Sequence, residues 1–342
     1  MSEFMDPLQR REPEDLEARF FEDGVNIGGK SFFYLTIPYP GCTKAIPCEF
    51  CAFAGTGIPG LKVDERLGRT VVQKVQQGLA RHSDTLVLLN NGNILNSNEM
   101  YPPAILEHVP QVVACHPSCR ALEIEVSVKD LLSDSIWEKL RTIRQNLAGK
   151  ELRVRVAVEY ADDALLARHR KGTNMADVGS AIGALSAEGI PWIGYALLGG
   201  MEMTSEEAQR AAIQTGQYIM DRGARMLSVN GLFLTEGMRK TQMQTGRQVY
   251  LPSIDDLIKV LRALTAHGAL KGAKPLIKIG LAEEDGGLKI VEYPYCLPAD
   301  DSGIRQRMIG ILRDFNGDQK YETFFIGVMQ NWAKTEAFRK IR

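Results

Sequence analysis

The sequence predicts an α/β fold, specifically a partial or near-complete (β/α) barrel, and three observations carry that prediction. Short β-rich runs alternate six times with longer stretches of helical period, the pattern of a parallel sheet with helices packed outside it. Several of those strands carry one charged face. Strands covered by apolar helices on both sides would read almost continuously apolar, so a charged face points to a polar cavity, with an edge facing water as the bland alternative. Finally, a chain of 342 residues suits one large domain or two small ones and buries a substantial core. An open doubly wound sheet competes with the barrel, and the face alternation favours the barrel.

The expected strands are Phe32–Pro38, Thr85–Asn90, Ala121–Ser127, Leu152–Glu159, Pro191–Leu198 and Arg225–Phe233. Helix-period segments follow at Asp64–Arg81, Lys129–Leu147, Asn174–Glu188, Ser205–Arg222 and Ser253–His267. The connections after Pro38 and Asn90 are longer and read as irregular. In LRVRVAVE, Leu152, Val154, Val156 and Val158 share one face, while Arg153, Arg155, Ala157 and Glu159 share the other. In ALEIEVS, Glu123, Glu125 and Ser127 oppose Leu122, Ile124 and Val126. After His267 come two more strand-like runs, Pro275–Leu281 and Leu288–Tyr293, and a helical tail from Ser302. The expected organisation is a polar N-terminal segment (1–30), the barrel (31–268) and a C-terminal α+β extension covering it (269–342).

Composition excludes some functions. The formal charge of −1 gives no general attraction for nucleic acid or an anionic membrane. No apolar run approaches the roughly 20 residues that span a bilayer. The N-terminal residues are polar and charged, unlike a secretory signal, so a cytoplasmic protein is expected. In a reducing compartment, clustered cysteines read as metal-binding or catalytic.

Three of the six cysteines sit in GCTKAIPCEFCAF as Cys42-x5-Cys48-x2-Cys51, directly after the first of these strands. A structural zinc wants a fourth Cys or His nearby, and none lies in this segment. A redox disulfide uses two thiols and wastes one. A [4Fe–4S] cluster held by Cys42, Cys48 and Cys51 explains the odd number, because one iron keeps a site for another ligand.

These residues resemble the radical S-adenosylmethionine superfamily, in which a three-cysteine loop follows the first strand with an aromatic (here Phe50) before its last cysteine. The x5 spacing departs from the commoner x3 of that superfamily. VAVEYADDALLARHRKGTN resembles the elongator-type and archaeosine-synthase-type enzymes, with Glu159 as the acid ending a strand and Arg170-Lys171-Gly172-Thr173 as the basic turn. The resemblance covers about Phe32–Leu264. It implies a barrel of the radical S-adenosylmethionine type with a [4Fe–4S] cluster and S-adenosylmethionine as cofactors.

It also implies site residues. Asn91, Gly92 and Asn93 fall where relatives bind the amino group of S-adenosylmethionine. Arg155 and Glu159 are placed by the alternation on the cavity face, near its charged head and ribose; the alternative is that they simply pair with each other. Gly199, with Gly200, falls where relatives cradle the adenine. Glu123, Glu125, Ser127, Ser228 and Asn230 lie on faces expected to point inward, towards cofactor or substrate. Cys115, Cys119 and Cys296 read as structural, with a second metal site as the alternative.

The expected activity is reductive cleavage of S-adenosylmethionine to start radical chemistry on a small molecule, with an electron donor such as flavodoxin or ferredoxin. Modification of a tRNA nucleoside is the alternative, and a non-catalytic, metal-stabilised binding protein is a third reading. Neither a cobalamin partner nor a membrane is indicated.

Overall fold

Several helix starts in this chain are written by short polar residues that accept from first-turn amides. The structure is a computed structural model that describes residues 20–40, 48, 58, 61, 63–82, 84–90, 94–95, 103–272, 276–280, 290–292, 294–296 and 302–332. It opens with β1 (Phe21–Ile27) and β2 (Lys30–Ile37), followed by α1 (Glu65–Leu79), β3 (Thr85–Asn90), α2 (Pro103–Cys115), β4 (Ala121–Glu125) and α3 (Asp134–Asn146). The middle of the chain gives β5 (Glu151–Glu159), α4 (Asp163–Arg168), α5 (Met175–Ala187), β6 (Trp192–Leu198), β7 (Gly200–Met201) and α6 (Ser205–Asp221). Next come β8 (Met226–Gly231), β9 (Leu234–Thr235), α7 (Glu236–Thr245), β10 (Val249–Tyr250) and α8 (Ile254–Leu270). The last elements are β11 (Leu276–Gly280), β12 (Ile290–Glu292), α9 (Ser302–Asp318) and α10 (Tyr321–Trp332).

Asp64 accepts from Arg66 N and Leu67 N at the start of α1. Asn174 with Asp177, and Ser253 with Asp256, form reciprocal capping boxes on α5 and α8. Each such cap is worth about 1 kcal/mol and fixes where the chain enters the helix.

The main sheet has eight strands in the order β1-β2-β3-β4-β5-β6-β8-β11. From β2 onward every pairing is parallel, and only β1 is antiparallel to its neighbour. The sheet curls into a nearly closed barrel. Lys278 on β11, at one edge, sits over the Tyr34 ring on β2, next to the other edge, with 5.1 Å from Nζ to the centroid. One apolar cluster joins Val25, Ile27, Phe32, Val87, Ile193 and Met226, with Leu276 packed against it, and so spans the interior at the N-terminal ends of the strands. The larger core lies between the sheet and the outer helices.

The seam between β1 and β11 is bridged by the end of α9. The Asn316 side chain accepts from Ile279 N at 2.7 Å and donates to Ile279 O at 2.9 Å, as a neighbouring strand would. Gln319 repeats this on Ile277, at 2.8 and 2.9 Å. On the other side, Gly28 N and Gly29 N donate to the carbonyls of Asn316 and Gly317. The exposed edge of β11 is thereby satisfied without another strand. Thus β11 completes the sheet, α9 covers its side, and β12 pairs with β9.

Four differences from the sequence reading have local causes. The strand β1 was not expected, because FEDGVNI places Asp, Gly and Asn in an edge strand with polar faces. The helix α2 was read as irregular connection because Pro110 sits inside it. The helix α7 was not anticipated between β9 and β10. The segment Lys129–Leu147 splits at Ser133 into a 3-10 turn, Asp130–Leu132, and α3.

Candidate functional site at the barrel mouth

In a parallel barrel the loops and side chains at the C-terminal ends of the strands form the open mouth. Three ionisable groups lie there, two of them paired. Glu125 ends β4, Glu159 ends β5, and Lys171 follows α4. Lys171 Nζ is 2.7 Å from Glu159 Oε2. The backbone is bent to bring them together. Glu159 has φ +64, and the register against β6 jumps between Ala157 and Glu159, a bulge that re-aims the strand end. Arg170 and Gly172, on either side of Lys171, have φ +53 and +73. The Lys171 amide is anchored on Leu166 O at 2.9 Å. Left-handed conformations at Glu159 and Arg170 cost energy and concentrate at functional positions.

The electrostatics are those of two carboxyls sharing one ammonium. Burial pushes Glu125 up to about 7; Lys171 and Arg155 work against that rise, and Glu159 adds to it. Burial opposes the charged form of Lys171, yet the Glu159 carboxylate, then the Cys48 side chain and Glu125, hold it above the usual lysine range. Cys48, partly buried against the core, therefore lies within electrostatic reach of this group.

One layer deeper, the same strands carry a different arrangement. Glu123 and Arg155 are each 1% exposed and paired at 2.5 Å. Arg153 joins the same carboxyl at 2.9 Å and also reaches Glu151. The Arg155 guanidinium donates to Tyr34 Oη at 2.9 Å and Tyr195 Oη at 3.2 Å, and lies 5.1 and 5.9 Å from their ring centroids. Tyr195 Oη in turn reaches Glu125 Oε2 at 3.4 Å, linking the two layers. Side chains from β2, β4, β5, β6 and β11 thus fill the cross-section, and a ligand entering from the mouth meets this floor.

The alternation expected from the sequence is observed: Glu123, Arg153, Arg155, Glu125 and Glu159 all face the interior or its mouth. The structure pairs Glu159 with Lys171, and Glu125 and Cys48 lie within electrostatic reach of the same ammonium. It does not pair Arg155 with Glu159; Arg155 is engaged by Glu123 and the two tyrosines, and Glu159 by Lys171. Ser127 lies beyond the end of β4, where its hydroxyl donates to Asp130 and accepts from Asp130 N, closing the 3-10 turn. Asn230 accepts from Ser228 Oγ at 3.0 Å and lies over Gly280, where a Cβ would strike Asn230 Oδ1.

Gly199 is buried with φ +107. A Cβ there would come within 2.7 Å of Tyr250 O, and its carbonyl accepts from Tyr160 Oη at 2.7 Å. Its neighbour Gly200 packs against Met203, His169 and Tyr160. Both glycines are required by the packing around them. Cys115 and Cys119 lie at the N-terminal end of β4, away from the mouth; Cys119 is buried and donates to Ala121 O. Cys42, Cys51, Phe50, Asn91, Gly92 and Asn93 lie outside the described residues, as does the Cys296 side chain.

The sequence reading placed Lys171 in a turn but did not pair it with Glu159, and it passed over Tyr195 and Tyr34. Tyr195 alternates with Gly194 and Ala196, so its inward parity was present, but that strand is apolar on both faces and shows no contrast. Among the described residues no helix is long and apolar enough to cross a membrane, and no group of three metal-ligating side chains is preassembled.

The mouth and floor belong to a nearly closed, mostly parallel (β/α) barrel, and comparison with a solved structure gives the same class of fold. Methylornithine synthase superposes with a TM-score of 0.51 at 15% identity, covering 88% of this chain and 86% of that one. Coproporphyrinogen III oxidase from Escherichia coli, a radical SAM enzyme, gives 0.45 at 14% identity over 88% and 62% of the two chains. An archaeal Elp3 from Methanocaldococcus infernus gives 0.45 at 14% identity and covers 63% of this chain, which spans about half (51%) of that protein. No known family pattern matches the sequence, and no curated protein matches it.

Proposed function

We propose that this protein is a radical S-adenosylmethionine enzyme acting on a small molecule. The observation that carries the reading is the Glu159–Lys171 pair at the mouth of a nearly closed (β/α) barrel, with Glu125 and Cys48 within electrostatic reach of the same ammonium. The donor set fits the implied cofactors. S-adenosylmethionine carries an amine, a sulfonium, hydroxyls and a carboxylate, and a mixed set of two carboxyls and one ammonium offers partners to both signs. Cys48, with Cys42 and Cys51, is the ligand set for a [4Fe–4S] cluster. When bound, the cluster and S-adenosylmethionine supply reductive cleavage of the sulfonium and hence the carbon radical that starts the reaction.

The chain's own residues orient and exclude. Glu159, fixed by its bulge and by Lys171, presents a carboxylate of set direction. Glu125, near half-protonation at neutral pH, offers either a donor or an acceptor on top of Tyr195. The Arg155–Glu123 floor stops a ligand at the mouth, so the substrate reacts there and only a small molecule, or one end of a larger one, reaches it. The electron comes from a carrier such as flavodoxin or ferredoxin.

The test is anaerobic: iron and sulfide content of the reconstituted protein, and the product formed from S-adenosylmethionine with a strong reductant. About four irons per chain, the content of one cube, with 5′-deoxyadenosine formed and both lost in Cys48→Ala, is the expected outcome. Zinc in place of iron, or no cleavage by a fully loaded cluster, would overturn the proposal. Strong, salt-sensitive RNA binding would move the substrate from a small molecule to a tRNA.

A further inference from the structure

Tyr160 and His169 stand beside the two halves of the mouth ion pair, and both are completely buried. Tyr160 follows Glu159 at the end of β5, and His169 closes α4 two residues before Lys171. Their rings stack, 4.8 Å between centroids and 26° between planes. Both reach the same short stretch of backbone, Gly199–Met201, where β6 gives way to β7. The Tyr160 hydroxyl donates to Gly199 O at 2.7 Å, and His169 Nε2 accepts from Met201 N at 3.0 Å. A Cβ on Gly200 would come within 2.8 Å of both Tyr160 Oη and His169 Nε2, so the stretch is held without slack. Its residues also pair with β10, Gly200 with Tyr250 and Met201 with Val249. The hydrogen bonds fix the imidazole chemically. Leu165 O can only accept, so Nδ1, 2.8 Å away, carries the proton; the Met201 amide can only donate, so Nε2 is bare. The turn that follows, left-handed at Arg170 and Gly172, delivers Lys171 to Glu159 at 2.7 Å.

We infer that Tyr160 and His169 are positioning residues that set the Glu159–Lys171 pair by pinning both of its halves to Gly199–Met201. The inference rests on the proposed function in one respect, that S-adenosylmethionine is what the pair receives; the pinning stands on the contacts above. Left-handed residues such as Glu159 and Arg170 persist only where their surroundings hold them. Each half of the pair has its own hold, Glu159 through Tyr160 and Lys171 through His169. Because the two holds meet on one piece of backbone and stack on each other, the carboxylate and the ammonium keep a set separation. A ligand carrying groups of both signs then meets a pair already in place, without the cost of ordering it.

Side-chain length separates this role from plain packing. In His169→Gln the amide oxygen can stand where Nε2 stood and accept from Met201 N, whereas in His169→Asn the side chain stops short and that bond is lost. Tyr160→Phe keeps the ring and loses only the bond to Gly199 O. The direct readout is competitive acetylation of lysine amines with acetic anhydride on the full chain, followed at Lys171 by mass spectrometry. Affinity for S-adenosylmethionine, by equilibrium dialysis on the reconstituted protein, is measured beside it, with a thermal melt of each variant. Lys171 is expected to label about fivefold faster in His169→Asn and Tyr160→Phe, the equivalent of one lost hydrogen bond. Affinity should fall in the same two variants, and His169→Gln should stay near wild type in both readouts. If Lys171 labels at the wild-type rate in folded His169→Asn and Tyr160→Phe, if His169→Gln is as impaired as His169→Asn, or if affinity is untouched while Lys171 is freed, the inference is wrong. If His169→Asn does not fold, Tyr160→Phe decides alone. A wild-type protein that binds no S-adenosylmethionine would overturn the function proposed above, and the labelling of Lys171 would still decide the pinning.

Discussion

Two layers of the barrel interior use nearly the same residues to opposite ends. In the middle layer Glu123, Arg153, Arg155, Tyr34 and Tyr195 satisfy one another, and all but the half-buried Tyr195 are shut off from solvent. At the mouth, two residues further along β4 and four along β5, Glu125 and Glu159 remain partly accessible, and Glu159, paired with Lys171, sits on a left-handed backbone. The comparison teaches that residue type does not separate structure from site. What separates them is whether the polar groups are already answered. A buried carboxylate that takes Arg153 on one oxygen and Arg155 on the other has little left to offer a ligand, whereas Glu159, answered by one ammonium, and its neighbour Glu125 keep acceptors in reserve.

The largest effect should come from breaking the middle layer. Arg155→Met leaves Glu123 buried with Arg153 alone, and removing one partner of such a pair costs about 3–5 kcal/mol. Urea denaturation should show this as a lower midpoint with an unchanged slope. A loss under about 1 kcal/mol would mean that the layer is more solvated than its contacts imply.

The next effect is a pH dependence from the mouth. Folded Glu125 keeps its proton up to about 7, while an unfolded carboxyl releases it near its ordinary value of 4.5. Between these values the folded state binds more protons, so stability falls as pH rises through this window and is flat above it. The span corresponds to at most about 3 kcal/mol. Thermal melts from pH 5 to pH 8 should show the slope in the wild type, and Glu125→Gln should remove it.

The smallest effect belongs to the link between layers. Tyr195→Phe removes two long hydrogen bonds, at 3.2 and 3.4 Å, and should cost about 1 kcal/mol. Since the Tyr195 hydroxyl helps hold the Glu125 carboxyl down, its loss should also move the pH window upward. An unmoved window would uncouple the layers.

The sequence made the interior layers legible because charge alternates with valine or isoleucine at period two in 121–127 and 152–159, where Glu123, Glu125, Arg153, Arg155 and Glu159 fall on one face. It did not reveal who pairs with whom. The β4–β5 register sets Glu123 opposite Arg153 and Glu125 opposite Arg155, and only the diagonal lets one carboxylate take both arginines. Register comes from packing across strands and is not written within either one. Glu159 was found as a strand end, but its bulge and left-handed φ depend on β6. The strand β1 and the helix α2 were missed because Asp, Gly and an internal Pro speak against them locally, and tertiary pairing overrides that.

The most direct test of the two-layer account compares Tyr34→Phe with Glu159→Gln. Affinity for S-adenosylmethionine is measured by equilibrium dialysis on the reconstituted protein, beside a thermal melt. Tyr34→Phe, which loses an interior hydrogen bond to Arg155, should lower the melting temperature and leave the affinity unchanged. Glu159→Gln should leave the melt nearly unchanged and weaken binding by about tenfold, about 1.4 kcal/mol. If Tyr34→Phe loses the affinity while Glu159→Gln keeps it, the ligand is bound in the middle layer and the account of the mouth is wrong.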